Sequence, residues 1–350
     1  MSKYLFIVFV LIFPLEKVSA CTSFLMNQNG KLVFGRNYDW VSGSGMVNTN
    51  LRGLAKTSFP MQEGNTISWV SMYGSITFNQ YGKEFPTGGM NEKGLVVELM
   101  WLDGTQYPVP DRRPAINVLQ WIQYQLDNCA TIEEVIETDK EVRIAAVGTT
   151  PLHYLVADKK GNAATIEFLD GRMIVHKGKE LSFPVLTNNT YQESEKHALS
   201  FSNNKNFTGS SLGRFAKACS MLEEYRTGKS NRSPVDYSFK ILDEVAQGDF
   251  TKWSIVYDIS ESRIYFKTHS QPAIKTVDFA SFNFSCSSVP MAFDINTTEA
   301  GQISKWFVHF SKDLNLKTVQ KSFGETADRI SIPRSYADKI TAYLGLIKCQ

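Results

Sequence analysis

Short apolar runs, several of them joined by Gly- or Asn-containing turns, punctuate this chain and predict strands. They cover residues 22–26, 31–37, 66–73, 95–101, 154–157, 165–169, 173–176, 253–258 and 263–267. Asn29-Gly30 sits between the first two runs, and both residue types tolerate the positive φ of a tight hairpin. Fewer stretches carry apolar residues at helical spacing. Residues 114–126 do so, with Pro114 near the first helical position. Thr131-Ile132-Glu133-Glu134 reads as a capping box, because Thr and Glu three apart can satisfy each other's free N–H groups. Residues 211–225 and 234–246 complete the helices. Strand runs interrupted by helix pairs predict an α+β fold with helices covering sheet faces. With no repeat, long linker or charge block, residues 21–350 read as one domain.

The N-terminus stands apart. Residues 4–15 form an apolar run of 12, too short for a bilayer core that needs about 20. Lys3 precedes the run and Val18-Ser19-Ala20 follows it, so residues 1–20 read as a secretory signal peptide that leaves Cys21 first. Val18-Ser19-Ala20-Cys21 also fits a lipoprotein box, in which Cys21 is lipidated and its amine acylated. The two readings exclude each other chemically. A strand begins directly after Cys21, with no polar tether to clear a membrane, which favours a free N-terminal cysteine.

Composition removes several function classes. Of 350 residues, 43% are hydrophobic and 21% charged, as in ordinary globular proteins. Lys plus Arg number 37 against 35 Asp plus Glu, a net charge of +2 that gives no electrostatic case for nucleic acid. His153, His176, His197, His269 and His309 stand far apart, without HExxH or CxxC spacing, and read as surface or hydrogen-bonded histidines and not as metal ligands. No P-loop or GxGxxG is present, so no cofactor is expected.

What remains is Cys21. An N-terminal cysteine carries its own base, since its α-amine, with a pKa near about 8, can take the thiol proton directly or through water. Arg36 and Asp39 lie in Phe34-Gly35-Arg36-Asn37-Tyr38-Asp39-Trp40, at the far arm of the predicted hairpin, within reach of residue 21. An arginine there favours the thiolate, and an aspartate can orient the amine. A plain Arg36–Asp39 ion pair at the strand end is the bland alternative.

Cys21-Thr22-Ser23 with the Phe34–Trp40 segment resembles the start of the choloylglycine hydrolase and penicillin V acylase family. Met90-Asn91-Glu92-Lys93-Gly94-Leu95, Leu186-Thr187-Asn188-Asn189, Leu212-Gly213-Arg214-Phe215 and the stretch from Trp253 to Thr268 resemble four further family segments, in family order. The resemblance implies an N-terminal nucleophile (Ntn) hydrolase, a four-layer αββα sandwich that cleaves linear amides. It implies Cys21 as nucleophile and base, Arg36 and Asp39 as its tuning groups, Asn188 as oxyanion donor and Arg214 as an electrostatic support. Asn188 also opens an Asn-x-Thr sequon, read as coincidental and as fitting a periplasmic protein. Two features depart from the family. Trp101 stands where bile salt hydrolases carry Asn and Gram-positive penicillin acylases Tyr; its backbone N–H could still serve the oxyanion. Arg214 follows Asn188 by only 26 positions, as in the Gram-negative-type branch, so a tetramer is not implied and a homo-oligomer stays open. Trp101 and Trp40 are expected to line an apolar pocket for an acyl or phenyl group. The expected substrate is a small acyl amide, as in a penicillin V acylase, with N-acyl homoserine lactones in reach. Bile salt deconjugation is the second reading, and a lipid-anchored, catalytically dead binding protein the third. Setting Cys21 aside leaves Cys129, Cys219, Cys286 and Cys349, either as two disulfides or as buried thiols.

Overall fold

The computed structural model describes residues 21–28, 30–200, 207–330, 332–333 and 335–350. The predicted leader and Asn29 of the predicted turn lie outside the described residues. The expected α+β fold is what the chain adopts, with two large, mainly antiparallel sheets between helical layers. The first sheet has seven strands. Val185–Leu186 pairs with Thr22–Gln28, which pairs with Lys31–Asp39; Thr251–Asp258, Arg263–Thr268, Lys275–Asp278 and Gly301–Gln302 follow in that order. Only its last pair is parallel. The first hairpin is in full register from Thr22↔Asn37 to Gln28↔Lys31, and Gly30 supplies the left-handed φ of +76° that the turn requires.

Alternation along this hairpin sorts its side chains between two environments. Asn37 faces a helix, where its amide donates to the Leu242 carbonyl. Ser23, Arg36 and Tyr38 point the other way, into the second sheet, where they meet Met100, Leu99 and Gln80. Phe24 packs over Gly35, its cross-strand partner; a Cβ there would overlap the ring.

The second sheet has nine strands, running from Arg172–Lys177 through Ala163–Leu169, Leu152–Ala157, Val96–Trp101, Gly88–Asn91, Ser75–Asn79 and Met46–Asn50 to Met291–Asp294 and Val308–His309. One apolar core lies between the sheets and under the helices Ser211–Arg226 and Pro234–Glu244. A second core joins the outer face of the nine-stranded sheet to Val118–Asn128 and Ile132–Glu137. Thr131 and Glu134 form the expected capping box. The helix expected from Pro114 begins instead at Val118. Asn117 caps it by accepting from the Leu119 and Gln120 N–H groups, while Ala115–Ile116 is drawn into a parallel pairing with Arg143–Ile144. Thr66–Tyr73 shrinks to the strand Ser68–Val70.

No element was expected beyond residue 268, yet the C-terminal part holds two helices, Lys312–Thr326 and Ser335–Tyr343. They pack on Phe59, Tyr81 and Phe85. Lys348–Cys349 adds a strand to Leu54–Thr57, and Cys349 is bridged to Cys286. Of the four remaining cysteines, then, two are joined, while Cys129 and Cys219 are buried thiols. Among the described residues, no helix is long and apolar enough to cross a membrane.

Candidate active site

Cys21 immediately precedes the strand Thr22–Gln28 and is 4% exposed. Its thiol faces the Asp39 carbonyl at 3.8 Å. Burial pushes the thiol up to about 11; Arg36 opposes this, Asp39 adds to it, and Arg214 opposes it again. The site thus holds the cysteine protonated while two cations bias it the other way.

Arg36 does not pair with Asp39. Its guanidinium is fully buried and reaches across to the second sheet, where Nη1 lies 2.7 Å from Glu98 and Nη2 donates to the Leu99 carbonyl at 3.2 Å. It also lies over the Tyr38 ring. Glu98 is held in turn by the Tyr257 hydroxyl. Burial pushes Glu98 up to about 7 against the pull of Arg36 and Tyr257. This carboxylate occupies space left by Gly88, its cross-strand neighbour, since a Cβ at position 88 would overlap it.

Asp39 keeps its side chain out of that pair. Both carboxylate oxygens are buried and meet no donor in full hydrogen-bond geometry. Burial pushes the group up to about 7, opposed by Thr251, Arg214 and Arg36. A buried carboxyl without a firm donor is suited to receive a cation brought to it.

On the other side of the nucleophile, Val185–Leu186 pairs with the first strand in the register Ser23↔Leu186. Two residues further on, this register sets Asn188 opposite Cys21. Arg214, on the helix opened by the Ser210 cap, binds both: Nη2 donates to the Asn188 side-chain oxygen at 2.7 Å and to the Cys21 carbonyl at 3.4 Å. Its Nε reaches the Thr22 hydroxyl at 3.3 Å and Nη1 the Gly209 carbonyl. Because Arg214 only donates, it fixes which way the Asn188 amide faces. The amide nitrogen donates to the Trp101 carbonyl at 2.9 Å. The Trp101 carbonyl thus helps hold the Asn188 amide in place.

A cavity of about 370 Å³ opens over the thiol. Cys21, Asp39, Trp40 and Trp101 line it, whereas Arg36, Asn188 and Arg214 stand behind or beside the nucleophile. The two indole rings stack at 5.9 Å, and each N–H is occupied, Trp40 by Tyr81 and Trp101 by Asp103. The rest of the wall was not anticipated. Phe59 and Phe85 line it together with Phe323, Tyr336 and Ile340 from the C-terminal helices. A larger cavity of about 750 Å³, at Cys219 and Ala163, touches none of the predicted site residues. Among the described residues, no group of three or more His, Cys, Asp and Glu could hold a metal ion.

The family pattern of linear amide C–N hydrolases, choloylglycine hydrolase family, matches residues 21–213. Penicillin V acylase of Pectobacterium atrosepticum is 24% identical over 294 residues, covering 69% of this chain and 77% of that protein. The solved structure of penicillin V acylase from Agrobacterium tumefaciens is similar with a TM-score of 0.72 at 23% identity, covering 83% of this chain and 98% of that one. A variant of conjugated bile acid hydrolase from Clostridium perfringens gives 0.68 at 17% identity, covering 80% and 98%. At these identities the structural likeness is one of fold.

Proposed function

The chain belongs to the linear amide C–N hydrolases of the choloylglycine hydrolase family, and on that premise we propose that it is a secreted, penicillin V acylase-like enzyme with Cys21 as its N-terminal nucleophile. The observation that carries this reading is a buried thiol at the base of an aromatic cavity, beside a carboxyl that has no firm donor. Removal of residues 1–20 frees the α-amine of Cys21, and once it has taken the thiol proton Asp39 holds the resulting ammonium. That charge acts in the same direction as Arg36 and Arg214, drawing the thiol down from its buried value.

In the reaction the amine takes the thiol proton and the sulfur attacks the amide carbon. The C–S bond forms and the carbonyl oxygen becomes an oxyanion facing the Asn188 amide. Collapse breaks the C–N bond, and the leaving nitrogen takes the proton from the ammonium. Water then attacks the thioester, with the amine again taking the proton; the C–S bond breaks, the acid leaves and the Cys21 sulfur is restored. Removing a single oxyanion donor typically costs on the order of 10²–10³ in rate. The acyl group lies between the stacked indoles and the C-terminal wall, whose aromatic and aliphatic surface suits a phenyl group or an alkyl chain.

The burial of Cys21 at the start of a paired strand, and a family match that begins at Cys21, support a free cysteine over a lipid anchor. The Cys286–Cys349 disulfide supports an oxidising destination such as the periplasm. Intact mass of the mature protein tests the first point, since added acyl chains at Cys21 would end the catalytic reading. A panel of penicillin V, glycocholate and a long-chain N-acyl homoserine lactone, with Cys21→Ser as control, tests the substrate assignment. Penicillin V or the lactone is expected to turn over; hydrolysis of glycocholate alone would refute the penicillin acylase assignment.

A further inference from the structure

Asn188 owes its place to more than Arg214. The segment that carries it leaves the seven-stranded sheet at Leu186 and enters the helix Tyr191–Ser200, so it could pivot at both ends. Two buried polar side chains of the other sheet hold those ends. His153 and Glu167 are both 0% exposed. They lie on the paired strands Leu152–Ala157 and Ala163–Leu169, whose register Tyr154↔Ile166 sets them opposite each other. His153 Nε2 lies 2.7 Å from the carbonyl of Thr187, the residue before Asn188. Glu167 Oε1 accepts the N–H of Tyr191 at 2.9 Å. The two are joined through His153 Nδ1, 3.1 Å from the same Glu167 oxygen.

The donor and acceptor inventory settles most of the protons. A carbonyl only accepts, so Nε2 carries hydrogen. Nδ1 and Oε1 must share one proton between them, because two facing lone pairs would repel. The imidazole is therefore tied at both nitrogens and has no spare rotamer. Ser211 completes the frame from a third direction, its hydroxyl accepting the Asn188 backbone N–H at 2.8 Å.

We infer that His153 and Glu167 are positioning residues for Asn188: a buried cross-strand pair that fixes the backbone on either side of the oxyanion donor from the opposite sheet. This rests on the assignment of Asn188 given above. Their effect on catalysis comes through geometry, since displacing a catalytic donor by about 1 Å can cost about 10² in rate.

The test uses the mature enzyme with penicillin V, or with glycocholate if only that is hydrolysed. His153→Leu removes the bond to Thr187 and is expected to lower kcat about 10- to 100-fold while KM changes less than about threefold. His153→Gln can still donate to Thr187 and is expected to recover most of kcat. Glu167→Gln keeps the acceptor for Tyr191 but cannot hold the shared proton. Should His153→Leu fail to fold, a several-fold lower kcat with KM within about threefold in Glu167→Gln carries the same conclusion, and an unchanged kcat overturns it. Asn188→Ala is measured alongside. If it is crippled by about 10² or more while a folded His153→Leu keeps kcat within twofold, or if Gln restores no more than Leu, the positioning role fails and the oxyanion reading stands. If Asn188→Ala itself keeps kcat, the oxyanion reading fails and this inference with it.

Discussion

Reducing the Cys286–Cys349 bridge should loosen the wall of the cavity before it loosens the nucleophile. The bridge spans 63 positions and fastens the strand Lys348–Cys349 beside Leu54–Thr57. Closing a loop of that length in the unfolded chain is worth about 4 kcal/mol in the chain-entropy model. For a protein of this size that corresponds to a fall in Tm of roughly 5–10 °C. The segment tied down by this bridge presents Phe323, Tyr336 and Ile340 to the cavity, whereas Cys21, Asp39 and Arg214 lie on a hairpin and a helix outside residues 286–349. Cys349→Ser, compared with wild type by scanning calorimetry with and without reductant, should therefore melt earlier. Its kcat/KM should fall more for a bulky apolar acyl substrate than for a short one. A Tm within about 1 °C of wild type, or equal losses for short and long acyl groups, would refute the reasoning.

Other consequences can be checked as directly. Cys21→Ala should lower kcat by at least about 10³, while calorimetric titration still detects binding of the intact substrate in the cavity. The raised Asp39 carboxyl, with a value near 7, makes wild-type activity rise as pH passes upward through about 7, where the group ionises and holds the ammonium. Asp39→Asn should lose that limb of the pH–rate profile. Stability runs the other way. A carboxyl whose folded value is raised contributes stability fully present below its unfolded value near 4 and lost as pH rises through about 7. Tm should therefore fall from pH 5 to pH 8, and less steeply in Asp39→Asn. Tyr336→Ala, at a half-buried position beside Phe59, should raise KM for an aromatic acyl group about tenfold, equivalent to about 1.4 kcal/mol of lost contact, with little change in kcat.

The nucleophile and its hairpin were legible because they are local. A turn signal, two apolar runs and a chemically singular first residue all lie within residues 21–39. The partner of Arg36 was not legible, since Glu98 arrives from the other sheet and no sequence spacing announces it. The inner strands were hidden for a related reason. Met46–Asn50 and Ser75–Asn79 are buried on both faces, and Asn50 donates to Ser75 and Thr77 while Thr77 donates to Asn79. Polar side chains that satisfy one another inside the sandwich erase the apolar alternation by which a strand is read. The C-terminal wall was masked similarly, because the buried face of Lys312–Thr326 carries Asn315, Ser322 and Thr326 beside Val319 and Phe323. His153 was read as a surface or hydrogen-bonded histidine; its place against the Asn188 segment depends on a register between strands that spacing alone does not reveal.

Gly88 has a consequence for how this site can change over time. The Glu98 carboxylate that neutralises Arg36 fits only because position 88 has no side chain. A methyl group there would push the acid aside and strand a buried guanidinium behind the nucleophile, a loss of several kcal/mol. Positions 88, 98 and 36 are therefore epistatic. A larger residue at 88 becomes tolerable only after 98 has shortened, and 98 can shorten without harm only if 36 finds another anion. Drift can reshape the cavity wall residue by residue, but the charged floor beneath Cys21 must change as a unit or stay as it is.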